Sequence, residues 1–272
     1  MPRRTLIVNP HASRVSEDRI AAAVARLLPV ETLRTEHRGH ATELAQAAVG
    51  DEVWVLGGDG AVNEVLNGIR PGVALGVIAA GHTNVLSRAL GGRSRRISLG
   101  RVNGRRFAFA AGIGVDSEVV REMETVKRAH SGQRPSDLTY GRAVASRLLG
   151  GYEARLEVRG LGRAAMVFVS NGTVFTYAGP VPMRVSRSAR FEHGLDVVAP
   201  ERVGPGALAR LVPRLVAGRG LAGAGGVLSG HDLDHVEVAC DVPLPLQVDG
   251  EDLGDVRDVV FEAERDAISV LV

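Results

Sequence analysis

Between residues 53 and 64 an apolar run, Val53-Trp54-Val55-Leu56, ends in Gly57-Gly58-Asp59-Gly60 and passes directly into a short helical pattern carrying Asn63 and Glu64. No other stretch limits the fold as much. A buried strand has to turn tightly into a helix, and the glycines remove Cβ atoms where the backbone turns and comes close to something. The unpaired N–H groups and positive dipole end of the following helix favour an anion, with phosphate the expected guest. Asp59 repels phosphate unless a metal ion sits between them, as Mg²⁺ does in phosphoryl-transfer enzymes. The same string also suits a type I′ hairpin turn, for which Asp-Gly is a common signal. A helical pattern follows it, however, rather than a returning strand.

The neighbouring sequence repeats this plan. Strand patterns at 5–8, 30–35, 52–56 and 74–78 alternate with helical spacing at 16–28, 41–49, 62–69 and 84–90. Such alternation implies a parallel sheet with helices on both faces. Ligands bind sheets of this kind at the carboxyl ends of the strands. Asn9, Thr35, residues 57–60 and residues 81–84 all fall there.

Past residue 97 short strands separated by turns take over, at 97–102, 107–111, 154–159, 164–170, 195–199, 236–239, 244–248, 259–262 and 268–271. Asn103-Gly104 is a strong hairpin turn between two of them. Helical patterns at 116–129, 138–149 and 207–216 interrupt the strands, and 217–230, rich in glycine and small residues, reads as a flexible loop. This half predicts a β-sandwich or partly closed barrel with helical excursions. The chain's 272 residues exceed the usual single-domain size, so two domains are expected, divided as 1–96 and 97–272.

The longest nearly uninterrupted apolar run, 73–80, is far too short to cross a bilayer. The chain opens Met-Pro-Arg-Arg and enters a strand pattern with no hydrophobic signal region. A single cysteine, Cys240, excludes an internal disulfide and suits a reducing interior, so a cytoplasmic protein is expected. The formal net charge is only +2, yet Lys127 is the sole lysine. Arginines cluster at 93, 95 and 96, at 101, 105 and 106, and at 184, 187 and 190. Such clusters meet phosphates or an anionic membrane, or form a solvated basic face. No aromatic residues interleave with them, which disfavours single-stranded nucleic acid.

Several blocks together resemble the diacylglycerol kinase catalytic-domain family of soluble lipid kinases. Asn9-Pro10-His11-Ala12-Ser13-Arg14 is similar to its opening Asn-Pro loop, and the segment from Thr35 to Gly39-His40-Ala41 to its Thr-rich turn. Residues 57–64 match its Gly-Gly-Asp-Gly-x-x-Asn-Glu signature, and Gly81-His82-Thr83-Asn84 resembles its Gly-Thr-x-Asn turn. Ala111-Gly112-Ile113-Gly114-Val115-Asp116, Thr176-Tyr177-Ala178-Gly179 and Gln247-Val248-Asp249-Gly250-Glu251 resemble blocks of its second domain.

The resemblance implies an α/β nucleotide-binding domain with a parallel sheet, followed by a C-terminal β-sandwich domain, with the active site in the interdomain cleft. It implies ATP and Mg²⁺ as cofactors and transfer of the γ-phosphoryl group to a lipid hydroxyl. Asn9, Arg14, Thr35, Gly57, Gly58, Asp59, Gly60, Asn63, Gly81, His82, Thr83 and Asn84 would then hold the nucleotide. Asp59 would sit nearest the metal–phosphate cluster, and Glu251 would be the general base, with Asp249 as the alternative or a member of the metal network. Asp249-Gly250 reads equally as a plain hairpin turn. Glu192 and Asp196 keep two carboxylates of the block in which relatives bind a structural Mg²⁺. The implied partners are a lipid alcohol at the inner membrane surface and a second copy of the chain.

Three positions depart from the family pattern: Ala61 replaces a threonine, His82 occupies another threonine position, and His193 interrupts the acidic block. Two other readings follow. A kinase fold without turnover would bind nucleotide or lipid as a regulator. An NAD kinase shares the Gly-Gly-Asp-Gly turn, but its continuation differs from Asn63-Glu64.

Overall fold

The computed structural model describes residues 2–129 and 150–272. Its first part alternates as expected: β1 (Arg4–Val8), α1 (Glu17–Leu27), β2 (Glu31–Arg34), α2 (His40–Ala47), β3 (Glu52–Gly57), α3 (Asp59–Gly68), β4 (Ala74–Ala79) and α4 (Val85–Leu90). Local chemistry sets these boundaries. Ser16 caps α1 by accepting the Arg19 N–H, and the helix stops where Leu28 turns left-handed at φ 47°. Its buried face is Ile20, Ala23 and Leu27. Val53, Trp54, Val55 and Leu56 of β3 are all buried, as a parallel strand covered on both faces requires.

The strands lie in the order β2-β1-β3-β4, all parallel. The chain leaves β1 towards β2 on one side and returns to β3 on the other. That reversal opens a crevice at the carboxyl ends of β1 and β3, where Asn9 and Gly57 emerge.

The second part comprises β5 (Arg95–Val102), β6 (Arg105–Phe107), β7 (Ala110–Ile113), α5 (Val115–Ala129), β8 (Leu156–Val158), β9 (Gly162–Ala164), β10 (Val167–Ser170), β11 (Thr176–Ala178), β12 (Val181–Met183), β13 (Leu195–Pro200), α6 (Pro205–Val216), β14 (Val227–Leu233), β15 (His235–Val248) and β16 (Glu251–Leu271). Asn103 and Gly104 make the expected β5–β6 turn, both with positive φ. A core of Phe107, Ile113, Leu156, Val197, Leu246 and Phe261 fills this half, with the rings of Phe107 and Phe261 edge to face.

The two halves share one hydrogen-bonded sheet. Val270 and Leu271 of β16 pair in parallel with Leu75 and Gly76 of β4, while the rest of β16 pairs antiparallel with β15 and β5. Ile268 and Val270 accordingly pack in the core of the first half beside Val55 and Leu75. The end of the chain therefore completes the α/β part.

Other differences from the sequence reading are local. The strands expected at 236–239 and 244–248 are one strand, β15, with a register shift between Ala239 and Leu244. Those at 259–262 and 268–271 likewise belong to β16, shifted between Glu264 and Ile268. A bulge interrupts alternation without ending pairing, so each strand reads as two in sequence. Part of the expected loop at 217–230 is β14, which pairs with β13. The small β11–β12 hairpin is too short to show a period. The helix expected at 138–149 lies outside the described residues. No helix among the described residues is long and apolar enough to cross a membrane.

Candidate active site

Two glycine turns meet at the carboxyl ends of β3 and β4. A Cβ on Gly81 would stand 2.5 Å from the Gly58 Cα, so the two backbones touch where neither residue can carry a side chain. The Ala80 N–H donates to the Gly57 carbonyl at 2.7 Å and the Arg14 N–H to the Ala80 carbonyl at 2.9 Å, which ties the loop after β1 to the same rim. Asn9 extends the β1–β3 pairing through its N–H to the Leu56 carbonyl, and its Oδ1 accepts the His11 N–H. The Thr35 N–H donates to the Val8 carbonyl. Gly58 gives α3 no side-chain cap, so the first N–H groups of that helix remain available to an anion.

Asp59 does not stand free in this rim. Its Oδ1 accepts the Val85 N–H at 2.6 Å, and the amides of Asn84 and Leu86 also point at the carboxylate. It thereby caps the N-terminus of α4 and binds one glycine turn to the other. Burial raises its pKa, against the pull of those amides and of Arg88. Asn84, expected on the nucleotide, closes its own turn instead. It adopts φ 52°, accepts the Gly81 N–H through Oδ1 and donates Nδ2 to the Gly81 carbonyl. His82 and Arg14 are exposed and Thr83 half-buried, and none of the three lines the cleft described below.

Asn63 faces the second half. Its Nδ2 donates to Asp249 Oδ2 at 2.8 Å and to the Arg106 carbonyl, while its Oδ1 accepts Arg105 Nη2 at 2.7 Å. Asn67, one turn later, pairs with both backbone groups of Arg106. The α3 helix is thus stitched to the β6 strand, and Asn63 has no donor or acceptor left to offer a nucleotide.

Asp249 and Gly250 form the β15–β16 turn with φ 48° and 82°, so the hairpin reading and the site reading of this block both hold. The Asp249 carboxylate accepts the N–H groups of Ala108, Phe109 and Ala110 and the Asn63 amide. Burial pushes its pKa up to about 6 despite these four donors. It is buried, with 7% of its surface exposed.

Glu251, two residues on, is turned outward. Its Oε1 lies 3.7 Å from where a Cβ on Gly60 would stand, and its Oε2 pairs with Arg105 and, at 3.6 Å, with Arg38. It lines a cleft of about 320 Å³ together with Asn9, Thr35, Gly60, Ala61 and Glu64. A second lobe of about 180 Å³ opens on its other side, against Asn67 and Arg105. Glu251 therefore sits between two lobes, where the β15–β16 turn meets the Gly-Gly-Asp-Gly turn.

Several residues here have no assigned role in the sequence reading. Arg38 and His37 stand in the turn after β2, at the same rim as Thr35. Arg105 was noticed only as part of a basic cluster, and nothing local marks it as the partner of Glu251. Glu64 caps α2 by accepting the Ala41 N–H. Asp116 accepts the Gln247 amide at 2.9 Å, and Gln247 in turn accepts the Gly250 N–H. Burial pushes the Asp116 carboxyl up to about 7.

The carboxylates expected to bind metal do not come together. Glu192 is exposed and paired with Arg95. Asp196 is fully buried, and its oxygens accept Ser186 Oγ, Ser188 Oγ and the Asp232 N–H and pair with His231 Nδ1 at 2.6 Å. A structural Mg²⁺ does not fit this donor set, because hydroxyls, an amide and an imidazole already take the lone pairs a hard cation needs. Among the described residues, His37, His40 and Glu43 do bring three donor atoms within 4.8 Å of one another. There, however, His40 Nδ1 already accepts the Glu36 N–H, which puts the proton of the neutral ring on Nε2.

Comparison with known proteins bears on the fold and on the first part of the chain. Residues 3–101 match the family described as the diacylglycerol kinase catalytic domain. A diacylglycerol kinase of Bacillus subtilis (strain 168) is 31% identical over 159 residues, 49% of this chain and 52% of that protein, so the match spans about half of the relative's length. Two crystal structures from Bacillus anthracis str. Sterne share the fold. One overlays with a TM-score of 0.74 at 21% identity, covering 99% of this chain and 94% of the other. The second, a diacylglycerol kinase, overlays with a TM-score of 0.69 at 20% identity, covering 99% and 96%. The match to the diacylglycerol kinase catalytic-domain family thus covers residues 3–101 of this chain.

Proposed function

We propose that the protein is an ATP-dependent lipid kinase, with residues 1–96 as the nucleotide-binding domain and 97–272 as the acceptor-side domain. The observation that carries this reading is the position of Glu251. A carboxylate from the second half stands against the uncapped α3 N-terminus, in a cleft lined by Asn9, Thr35 and Gly60. Phosphoryl transfer needs phosphates positioned, charge neutralised and a carboxylate at the nucleophile's proton.

In this reading ATP arrives with its Mg²⁺ as one substrate, and the amides at the start of α3 receive its phosphates. Asn9, Thr35 and the Gly58–Gly81 contact shape the nucleotide side, and Arg38 lies close enough to swing from Glu251 to a phosphate. Glu251 takes the proton of the lipid hydroxyl as its oxygen bonds to the γ-phosphorus. The bond to the β-phosphate oxygen breaks and ADP leaves. Arg105, held by Asn63, fixes the Glu251 carboxylate. Asp59 and Asp249 act structurally, each joining two segments of the site. Work at the inner membrane surface from the cytoplasm goes with this substrate class.

The test is labelled ATP with Mg²⁺ and an extracted lipid mixture, followed by identification of the product. A labelled phospholipid is expected. Failure to phosphorylate any lipid alcohol in mixed micelles would overturn the reading. NADP formed from NAD would favour an NAD kinase, and ATP binding without turnover would favour a regulator.

A further inference from the structure

Helix α6 is apolar on both sides. Its inner face places Ala207, Leu211 and Leu215 against Val185, Val198 and Leu221. Its outer face carries Ala209, Val212, Pro213, Val216 and Ala217, all exposed, at the i, i+3, i+4, i+7, i+8 spacing of a single stripe. Val216 is 67% exposed and Val212 48%. A stripe of this kind on the solvent side is unusual, because solvent faces are normally built from polar residues. Helix α1 shows the contrast. Its exposed Val24 lies on a helix that also carries Glu17, Asp18, Arg19 and Arg26.

The charge around the α6 stripe is mainly basic, with Glu153 and Glu201 standing near Arg202 and Arg210. Between Arg202 and His231 the sequence contains no acidic residue. Arg202 meets Glu153 only in an exposed pair at 3.5 Å, and Arg214 turns back onto the Gly220 and Ala222 carbonyls. Arg210 and Arg219 form no ion pair among the described residues, although Glu201 approaches Arg210 across Gly226. The loop after α6 is pinned to the 184–190 arginine segment by the Leu221 N–H on the Val185 carbonyl, and the Arg187 side chain packs against Gly220. A second basic segment, distant in sequence, is therefore tied to the loop that follows α6.

The buried side of α6 is linked to the first half of the chain. Phe175 packs against both the α6 cluster and the core of the first half. The β11–β12 hairpin follows it and exposes Val181 at its turn. Arg88 of α4 stacks on Tyr177 at 3.5 Å and donates to the Gly179 and Pro180 carbonyls. The N-terminus of that same α4 is held by Asp59.

We infer that the outer face of α6 docks on an anionic bilayer. Val212, Pro213 and Val216 enter the boundary between headgroups and acyl chains, while Arg187, Arg210 and Arg219 meet lipid phosphates. An exposed apolar helix face that carries no acidic residue and is flanked by arginines matches an interfacial helix on an anionic surface. Docking there turns the side of the molecule that carries the β11–β12 hairpin towards the membrane. The inference rests on the lipid-kinase reading for its purpose but not for its test.

The test is sedimentation with vesicles of phosphatidylglycerol or of phosphatidylcholine, using wild type, Val212→Asp/Val216→Asp and Arg210→Gln/Arg219→Gln. Wild type is expected to pellet with phosphatidylglycerol, and less so as salt is raised. The aspartate pair is expected to lose binding by more than about tenfold. Each arginine replacement should weaken binding by roughly fivefold. Turnover of a short-chain diacylglycerol kept monomeric should be unchanged in all variants. Unfolding midpoints should also hold, because Arg210, Val212, Val216 and Arg219 are all exposed. Wild type failing to bind phosphatidylglycerol, or the aspartate pair binding as wild type does, would overturn the inference. So would an aspartate pair that converts a dimer to a monomer without loss of vesicle binding, since the occupant would then be a second copy. Binding that depends on α6 with no turnover of any lipid would uphold the docking surface and remove the kinase reading.

Discussion

Replacing Asn63 by leucine, close in size and without hydrogen-bonding atoms, should uncouple the two halves of the site. The Asp249 carboxylate accepts four bonds: Asn63 Nδ2 at 2.8 Å and the Ala108 N–H at 2.7 Å on Oδ2, and the Phe109 and Ala110 N–H groups at 3.1 Å on Oδ1. Losing one bond to a buried charge costs roughly 1.5–3 kcal/mol. Losing the Asn63 Oδ1 contact with the half-exposed Arg105 adds about 0.5–1 kcal/mol. Asn63→Leu should therefore destabilise the protein by about 2–4 kcal/mol. Paired with Asp249→Ala in a double-mutant cycle, it should show a coupling of about 1.5–3 kcal/mol, because either change alone removes the shared bond. Urea unfolding followed by the fluorescence of Trp54, the only tryptophan, provides the assay. Additivity within about 0.5 kcal/mol would refute the claim that Asn63 acts through Asp249.

Three further outcomes are expected. Burial holds the folded Asp116 carboxyl near 7, well above its unfolded value, so its contribution favours folding fully below about pH 4 and is lost as pH rises through 7. Asp116→Asn should remove a pH-dependent difference of up to about 4 kcal/mol between pH 4 and 8, read from urea midpoints across that range. A wild-type slope retained in the variant would contradict this. Gly81→Ala places a methyl 2.5 Å from the Gly58 Cα and 3.0 Å from Asn84 Oδ1. It should cost about 1–3 kcal/mol and weaken ATP binding by calorimetry more than about tenfold. Unchanged affinity would show that the turn contact does not shape the nucleotide side. Finally, because Asp196 is saturated by Ser186, Ser188, His231 and the Asp232 amide, EDTA should leave the thermal midpoint unchanged. A fall on chelation would reveal a resident structural metal.

Much of the first half was legible because its signals are local. Strand and helix periods alternate, and each glycine turn lies at a strand end, so the rim of Asn9, Thr35, Gly57 and Gly81 could be drawn from sequence order. Side-chain direction was not legible. Asn63 sits inside the nucleotide signature, yet the helical turn points it at Asp249, a residue 186 positions away. Asp59 stands among glycines whose pattern suits a phosphate cradle, so the sequence alone points it towards a metal. Its partners are the amides of residues 84–86, which only the folded β3–β4 pairing brings near. Arg105 shows the same limit, since an arginine after a hairpin turn carries no mark of the carboxylate it will meet. The long β15 and β16 strands were divided in two because bulges break the period on which strand reading depends.

The central claim is that Glu251, and not Asp249, faces the reacting hydroxyl. It is tested most directly by the initial rate of label transfer from ATP to lipid in Glu251→Gln, with vesicle composition and protein concentration held fixed. Glutamine preserves size and a contact to Arg105 but accepts no proton. The rate at saturating substrate is expected to fall by about 10²–10⁴-fold, with ATP affinity and unfolding midpoint close to wild type. A Glu251→Gln enzyme that turns over at the wild-type rate would contradict the account.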